Sequence, residues 1–131
     1  MLSGKPTLIL EAEYLIALDI QRILDAHNPG EVVITHTAEA AQISLSRSAT
    51  PALAIVEVRA KAPQTFTLVK MLEEAAVPTV VTTSEGRVRQ AVHAEHDVPV
   101  LVKPFSDAAL LDAIKIALAR SEGPELCAPQ A

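Results

Sequence analysis

Three stretches of this 131-residue sequence end an apolar run in charged side chains. Leu53-Ala54-Ile55-Val56 runs into Glu57, Leu8-Ile9-Leu10 into Glu11-Ala12-Glu13, and Val100-Leu101-Val102 into Lys103-Pro104-Phe105. A fourth run, Pro78-Thr79-Val80-Val81, closes in the hydroxyls Thr82 and Thr83. Short unbroken apolar runs fit strands buried on both faces of a parallel sheet. Open sheets of that kind hold their ligands beyond the carboxyl ends of the strands. Glu11, Glu13, Glu57, Thr83 and Lys103 are therefore expected at one end of one sheet. Like charges repel there, and a single lysine offsets part of the repulsion. Ion pairing is the chemistry these residue types support by themselves; holding a ligand is what their place in the sheet supports.

Other candidates carry less. His27, His36, His93 and His96 lack the spacing of a metal site, and no cysteine accompanies them. His93 and His96 read as a solvated helix end. No Ser-His-Asp pattern, phosphate-binding glycine loop or dinucleotide fingerprint occurs. Arg87 and Arg89 stand alone as surface charges, and the net charge of −5 argues against a nucleic-acid-binding surface. No apolar run reaches the roughly 18 residues a membrane span needs. The N-terminus lacks a signal-peptide pattern, and the single Cys127 excludes an internal disulfide. A cytoplasmic setting is expected.

The elements that must position the charged residues follow from periodicity. Half of the chain is apolar but only 2% is aromatic, so the core must be aliphatic, as suits a helix-covered parallel sheet. The spacing predicts a helix from Glu13 to about His27, with Ile16, Ile20, Ile23 and Leu24 inward and Leu15 and Leu18 widening that face. Asn28-Pro29-Gly30 breaks it, and Val32-Val33-Ile34 reads as a second strand. Thr37 caps a helix over Ala38 to Arg47, with Ala41 and Leu45 inward. A helix over Gln64 to Ala75 carries the stripe Phe66, Val69, Leu72 and Ala76. Val88, Ala91 and Val92 mark a fourth helix. Ser106 caps a fifth, striped by Leu110, Leu111, Ile114, Ala117 and Leu118 and ended by Gly123-Pro124. Strand and helix alternate five times, which implies a parallel sheet with right-handed crossovers and helices on both faces. One domain is expected over residues 6–121, followed by a disordered tail over 122–131.

Taken together, these residues resemble the receiver domain of bacterial two-component response regulators, the CheY-like fold. Leu101-Val102-Lys103-Pro104-Phe105 looks like that family's Lys-Pro motif, which usually carries a cis peptide, here between Lys103 and Pro104. Leu8 to Glu13 looks like its acidic turn after strand one. Pro51 to Val58 looks like strand three with the phosphoacceptor, and Val77 to Thr83 like strand four with the switch hydroxyl on Thr83. The resemblance implies a flavodoxin-like sheet of five parallel strands in the order 2-1-3-4-5 with five helices. It places Glu57 at the phosphoacceptor position, Glu11 and Glu13 in the acidic pocket, and Thr83, Lys103 and Pro104 at the family's characteristic positions.

The departures shape the functional expectation. The family has two adjacent carboxylates after strand one, the second binding Mg²⁺; here the pair is Glu11-Ala12. Its phosphoacceptor is Asp, and Glu57 sets the carboxylate one methylene further out, in a reaction with little tolerance for misplacement. Val100 stands where an aromatic switch is usual, and Arg59-Ala60-Lys61-Ala62-Pro63 has no glycine. The expectation is an atypical, stand-alone, non-enzymatic receiver with impaired or absent Mg²⁺-dependent phosphorylation. Lys103 is expected to pair with Glu57 or Glu11. No cofactor is expected; Mg²⁺, if held at all, would be held weakly by Glu11 and Glu57. The resemblance implies a signalling protein as partner, a histidine kinase or a downstream regulator, and a homodimer face on the fourth helix, fifth strand and fifth helix. Val88, Val92, Val100 and Leu111 are its expected exposed apolar residues. The alternatives are a working phosphoacceptor on Glu57 in a phosphorelay and a flavodoxin-like small-ligand binder.

Overall fold

The computed structural model describes residues 4–127, with the side chains of residues 4–120. Its elements run β1 (Thr7–Leu10), α1 (Tyr14–Asp25), β2 (Val32–Thr35), α2 (Ala38–Arg47), β3 (Leu53–Glu57), α3 (Pro63–Glu74), β4 (Thr79–Thr83), α4 (Gly86–Glu95), β5 (Val100–Val102) and α5 (Asp107–Cys127). All neighbouring strands are parallel, in the order β2-β1-β3-β4-β5. This is the doubly wound α/β sheet the alternation predicts.

Side chains alternate between two cores. Ile9, Leu53, Ile55 and Val80 pack with Ile20, Ile23 and Leu24 of α1 and Leu110 and Ile114 of α5. Leu8, Leu10, Ala54, Val56 and Val81 pack on the other face with Ala41 of α2, Leu68 and Leu72 of α3, and Val88 and Val92 of α4. β3 is buried along its whole length because it lies in the middle of the sheet with helices on both sides. Each buried Leu, Ile or Val side chain contributes about 1.5–3 kcal/mol, and β1 and β3 each bury three of them. The same period-two alternation carries Glu57 onto the α1/α5 face, with Leu53 and Ile55, and Thr83 onto the opposite face, with Val81.

Local signals set the helix ends. Thr37 Oγ1 accepts from Ala40 N–H at 3.1 Å, and Ser106 Oγ from Ala109 N–H at 3.0 Å. Asn28 takes φ 57° after α1, and Gly30 leaves no room for a Cβ, which would collide with the Gly4 carbonyl oxygen. α3 ends differently from the sequence expectation. Ala76 does not extend the buried stripe; it sits at φ 58°, exposed, with Ala76 N–H donating to the Glu73 carbonyl and Val77 N–H to the Leu72 carbonyl. That reversal closes the helix in the left-handed conformation usually given to glycine.

Three further expectations are corrected. Leu15 and Leu18 do not widen the buried face of α1: Leu15 is 77% exposed and Leu18 37%, while the smaller Ala17 is fully buried. The sheet offers α1 a narrow stripe at one rotational setting, and Ile20 and Leu24 define it. Val88, Val92 and Val100 are not surface residues; the first two face the core from α4, Val100 joins the same core from β5, and Leu111 is half-buried. The Gly123-Pro124 pair does not end α5, whose backbone stays helical to Cys127. Helix elongation adds a bond for each residue once begun, so a single missing donor can be carried. The expectation of a disordered tail over 122–131 falls in its last part, 128–131, outside the described residues.

Candidate functional site

β1 and β3 are neighbours where the strand order reverses, and β5 lies one strand beyond β3 across β4, so the long Lys103 side chain at the same end of the sheet brings three charged groups to one point. Glu57 is the last residue of β3, Glu11 follows β1 directly, and Lys103 follows β5 directly. Lys103 Nζ lies 2.7 Å from Glu11 Oε1 and 2.8 Å from Glu57 Oε2. Glu11 is fully buried, Glu57 is 6% exposed, and 12% of the Lys103 side chain is exposed. The remaining carboxylate oxygens are taken by the turn after β1. Glu57 Oε1 accepts from Ala12 N–H at 2.9 Å, and Glu11 Oε2 from Glu13 N–H at 3.1 Å. Three of the four carboxylate oxygens thus accept a hydrogen bond from the chain itself, and the fourth, Glu11 Oε1, meets Lys103 as an ion pair without one. The Lys103–Pro104 peptide is cis.

Two carboxylates share one ammonium, and their protonation reflects the imbalance. Burial pushes the Glu11 carboxyl above the ordinary glutamate value, against the pull of Lys103 and the Glu13 N–H. Burial works the same way on Glu57, but Lys103 and the Ala12 N–H outweigh it and hold that carboxyl below its ordinary value. For Lys103, burial favours the neutral amine, yet the two carboxylates prevail and its pKa is raised. At neutral pH the cluster is an ammonium between two partners, the Glu57 contact being the better formed.

Not every expected residue belongs to this cluster. Glu13 contributes its N–H, while its side chain is exposed. Thr83 is fully buried, but its Oγ1 accepts from Glu85 N–H at 3.1 Å on the face away from Glu57. Thr82 is its neighbour on the Glu57 side, opposite Glu57 in the β3–β4 register, and its buried Oγ1 has no hydrogen-bond partner among the described residues. His36 is a residue sequence reasoning passed over: its Nδ1 lies 2.8 Å from the Glu11 carbonyl oxygen. So are the donors Ala12 and Glu13, whose part is played by backbone, which carries no mark in a sequence. His93 meets the Val98 carbonyl and His96 meets Glu73, so the two histidines do not converge.

The divalent cation implied by the resemblance does not fit these residues. Ala12 offers no side-chain ligand oxygen, and an ion at Glu11 and Glu57 would have to displace Lys103 and two N–H donors. Among the described residues, no three His, Cys, Asp or Glu side chains gather as a metal site. A crevice of about 340 Å³ opens beside Glu57, lined by Ala12, His36, Gln42, Arg59 and Gln64. A larger groove of about 880 Å³ lies away from the cluster, between the end of α4, β5 and α5, where His93, Asp112, Ile116 and Arg120 line it.

No protein-family model and no curated protein matches the sequence. Solved structures do. A response regulator receiver protein from Sinorhizobium medicae superposes with a TM-score of 0.79 at 21% identity, over 93% of this chain and 100% of that one. The N-terminal domain of a response regulator/sensory box/GGDEF three-domain protein from Carboxydothermus hydrogenoformans gives 0.74 at 24% identity, over 92% and 98%. The signal receiver domain of a signal transduction histidine kinase from Syntrophus aciditrophicus gives 0.72 at 22% identity, over 88% and 91%. The chain has the receiver-domain fold.

Proposed function

We propose that this chain is an atypical receiver of two-component signal transduction that works through protein contacts and not through Mg²⁺-dependent phosphorylation of Glu57. The observation that carries the reading is the closed cluster of Glu11, Glu57 and Lys103, in which three carboxylate oxygens accept from the chain's own donors and the fourth, Glu11 Oε1, lies against the Lys103 ammonium. Phosphoryl transfer to a carboxylate needs a divalent cation to offset charge on the transferring group and a free, aligned oxygen to receive it. Ala12 withholds a ligand for the first, and the Ala12 N–H and Lys103 occupy the second. Glu57 then serves as an anchor. Together with Lys103 it ties the loops after β1, β3 and β5 in one arrangement, with Thr83 and Pro104 at the edges of that arrangement.

The partner class is another signalling protein, a histidine kinase or a downstream regulator, in a cytoplasmic setting; among the described residues no helix is long and apolar enough to cross a membrane. The surface of α4, β5 and α5 offers a groove for a second copy, with Ile116, 45% exposed, as the exposed large apolar residue of its lining. Sedimentation of the wild type and Ile116→Lys tests that face: a wild-type dimer that the variant abolishes supports it, and a monomer at high concentration removes it. The main reading is tested by incubation with acetyl phosphate and Mg²⁺ and measurement of the intact mass. The mass should not change. A gained phosphoryl group that disappears in Glu57→Ala would establish the phosphorelay reading instead.

A further inference from the structure

Glu85 stands at the N-cap of α4 and does not cap it. Its backbone is extended, at φ −117° and ψ 116°, and its carboxylate makes no hydrogen bond to the first turn. An N-cap oxygen ordinarily accepts from the second or third helical N–H. Here Glu85 Oε2 reaches across to the loop between β3 and α3 and accepts from Ala60 N–H at 3.1 Å. The backbone it swings from is held by Thr83, whose Oγ1 accepts from Glu85 N–H.

The loop it holds is the one that leaves Glu57. The preceding donor, Arg59 N–H, goes to Thr65 Oγ1 at 3.1 Å, and Ala62 N–H returns to the Arg59 carbonyl, so those contacts stay within the loop and α3. Ala60 is where α4 takes hold of it. At the head of α4, Val88 N–H bonds the Glu85 carbonyl, which leaves Arg87, the second helical residue, as the donor an N-cap side chain would ordinarily take. One carboxylate thus has two places to rest. The Ala60 N–H holds it now; the free N–H groups of the first turn, with the positive end of the helix dipole, compete for it.

We propose that Glu85 is a latch with two positions, one tying α4 to the loop after Glu57 and one capping α4 and releasing that loop. The contact at Ala60 couples the Glu57 cluster to α4 with no phosphoryl group. The inference rests on the proposed function only in taking α4 as part of the working face.

The test uses the full chain and compares wild type with Glu85→Gln, Glu85→Asp and Glu85→Ala by amide exchange and ¹H–¹⁵N spectra. Aspartate is one methylene shorter and a preferred N-cap, so it should cap α4 and fall short of Ala60. Glu85→Asp and Glu85→Ala should each lose roughly fivefold protection at Ala60, the scale of one exposed hydrogen bond. Glu85→Asp should also slow exchange at Arg87, and Glu85→Gln, which keeps an accepting oxygen, should preserve Ala60. Unchanged Ala60 protection in the Asp and Ala variants overturns the latch. So does a loss at Ala60 without any shift in the amides of α4. The response to acetyl phosphate does not enter either outcome, so failure of the latch and failure of the receiver reading are told apart.

Discussion

At the scale of single residues, Lys103 decides what the cluster is. It stands between two carboxylates, one fully buried and one 6% exposed, and removing it leaves both without a cation. Breaking a buried pair from one side costs more than the pair's own net contribution, because the remaining charge stays unpaired. Lys103→Met should lose on the order of 3 kcal/mol at pH 7. The pH dependence follows from the sign of each shift. Glu57 is held below its ordinary value, so its contribution exists above the unfolded pKa and disappears only as pH falls through the lowered one. Glu11 is raised, so its ionised form opposes folding above that value, and the opposition vanishes as pH falls through it. Lys103 is raised and contributes until pH climbs through its folded value, above 10.5. Without Lys103 both carboxylates should be raised, and the mutant's deficit should shrink between pH 7 and pH 5. Glu57→Gln in that background should recover part of the loss. Urea denaturation of the four proteins of this cycle at both pH values measures it; effects additive within about 0.3 kcal/mol would mean that Glu57 and Lys103 are not coupled.

At the scale of elements, position on the helix outweighs residue type. Leu15 and Leu24 lie on the same helix, one 77% exposed and the other fully buried. Leu24→Ala should lose about 2–5 kcal/mol by emptying core volume, whereas Leu15→Ser should stay within about 0.5 kcal/mol of wild type. Equal losses in thermal denaturation would show that α1 is turned differently on the sheet. The end of α3 makes the opposite kind of prediction. Ala76 holds φ 58°, where a Cβ crowds the following carbonyl. Ala76→Gly relieves that contact and should raise stability by up to about 1 kcal/mol, less the extra freedom that glycine has in the unfolded chain. A lower melting temperature in the variant would count against the left-handed closure.

At the scale of the whole molecule, two cores share one sheet. Both use alternate residues of β1 and β3, so neither can come apart while the other keeps its strands. Unfolding by urea should therefore be a single cooperative transition. Amides of Ile55 and Val56, inside the central strand, should exchange only through that global event, while those of β5, a three-residue edge strand, should exchange by smaller openings. Exchange of Ile55 at the rate of Leu101 would mean that the sheet opens from its centre.

The order of strands and helices was legible in the sequence, because burial on two faces, on one face or on none leaves a local pattern of period. The convergence of Glu11, Glu57 and Lys103 was legible as well, since each follows an apolar run directly and parallel strands end together. Tertiary structure alone decided the rest. Which leucines of α1 face inward depends on how the helix is turned against the sheet. Whether Val88 and Val92 are core depends on α4 lying over β4 and β5. The hands that close the cluster are the N–H groups of Ala12 and Glu13, which every residue but proline possesses, so no residue type announces them. The hold of Glu85 on Ala60 joins residues 25 positions apart. It exists because β3 and β4 are neighbours whose exit loops leave the sheet side by side, a relation set by three dimensions and not by any motif.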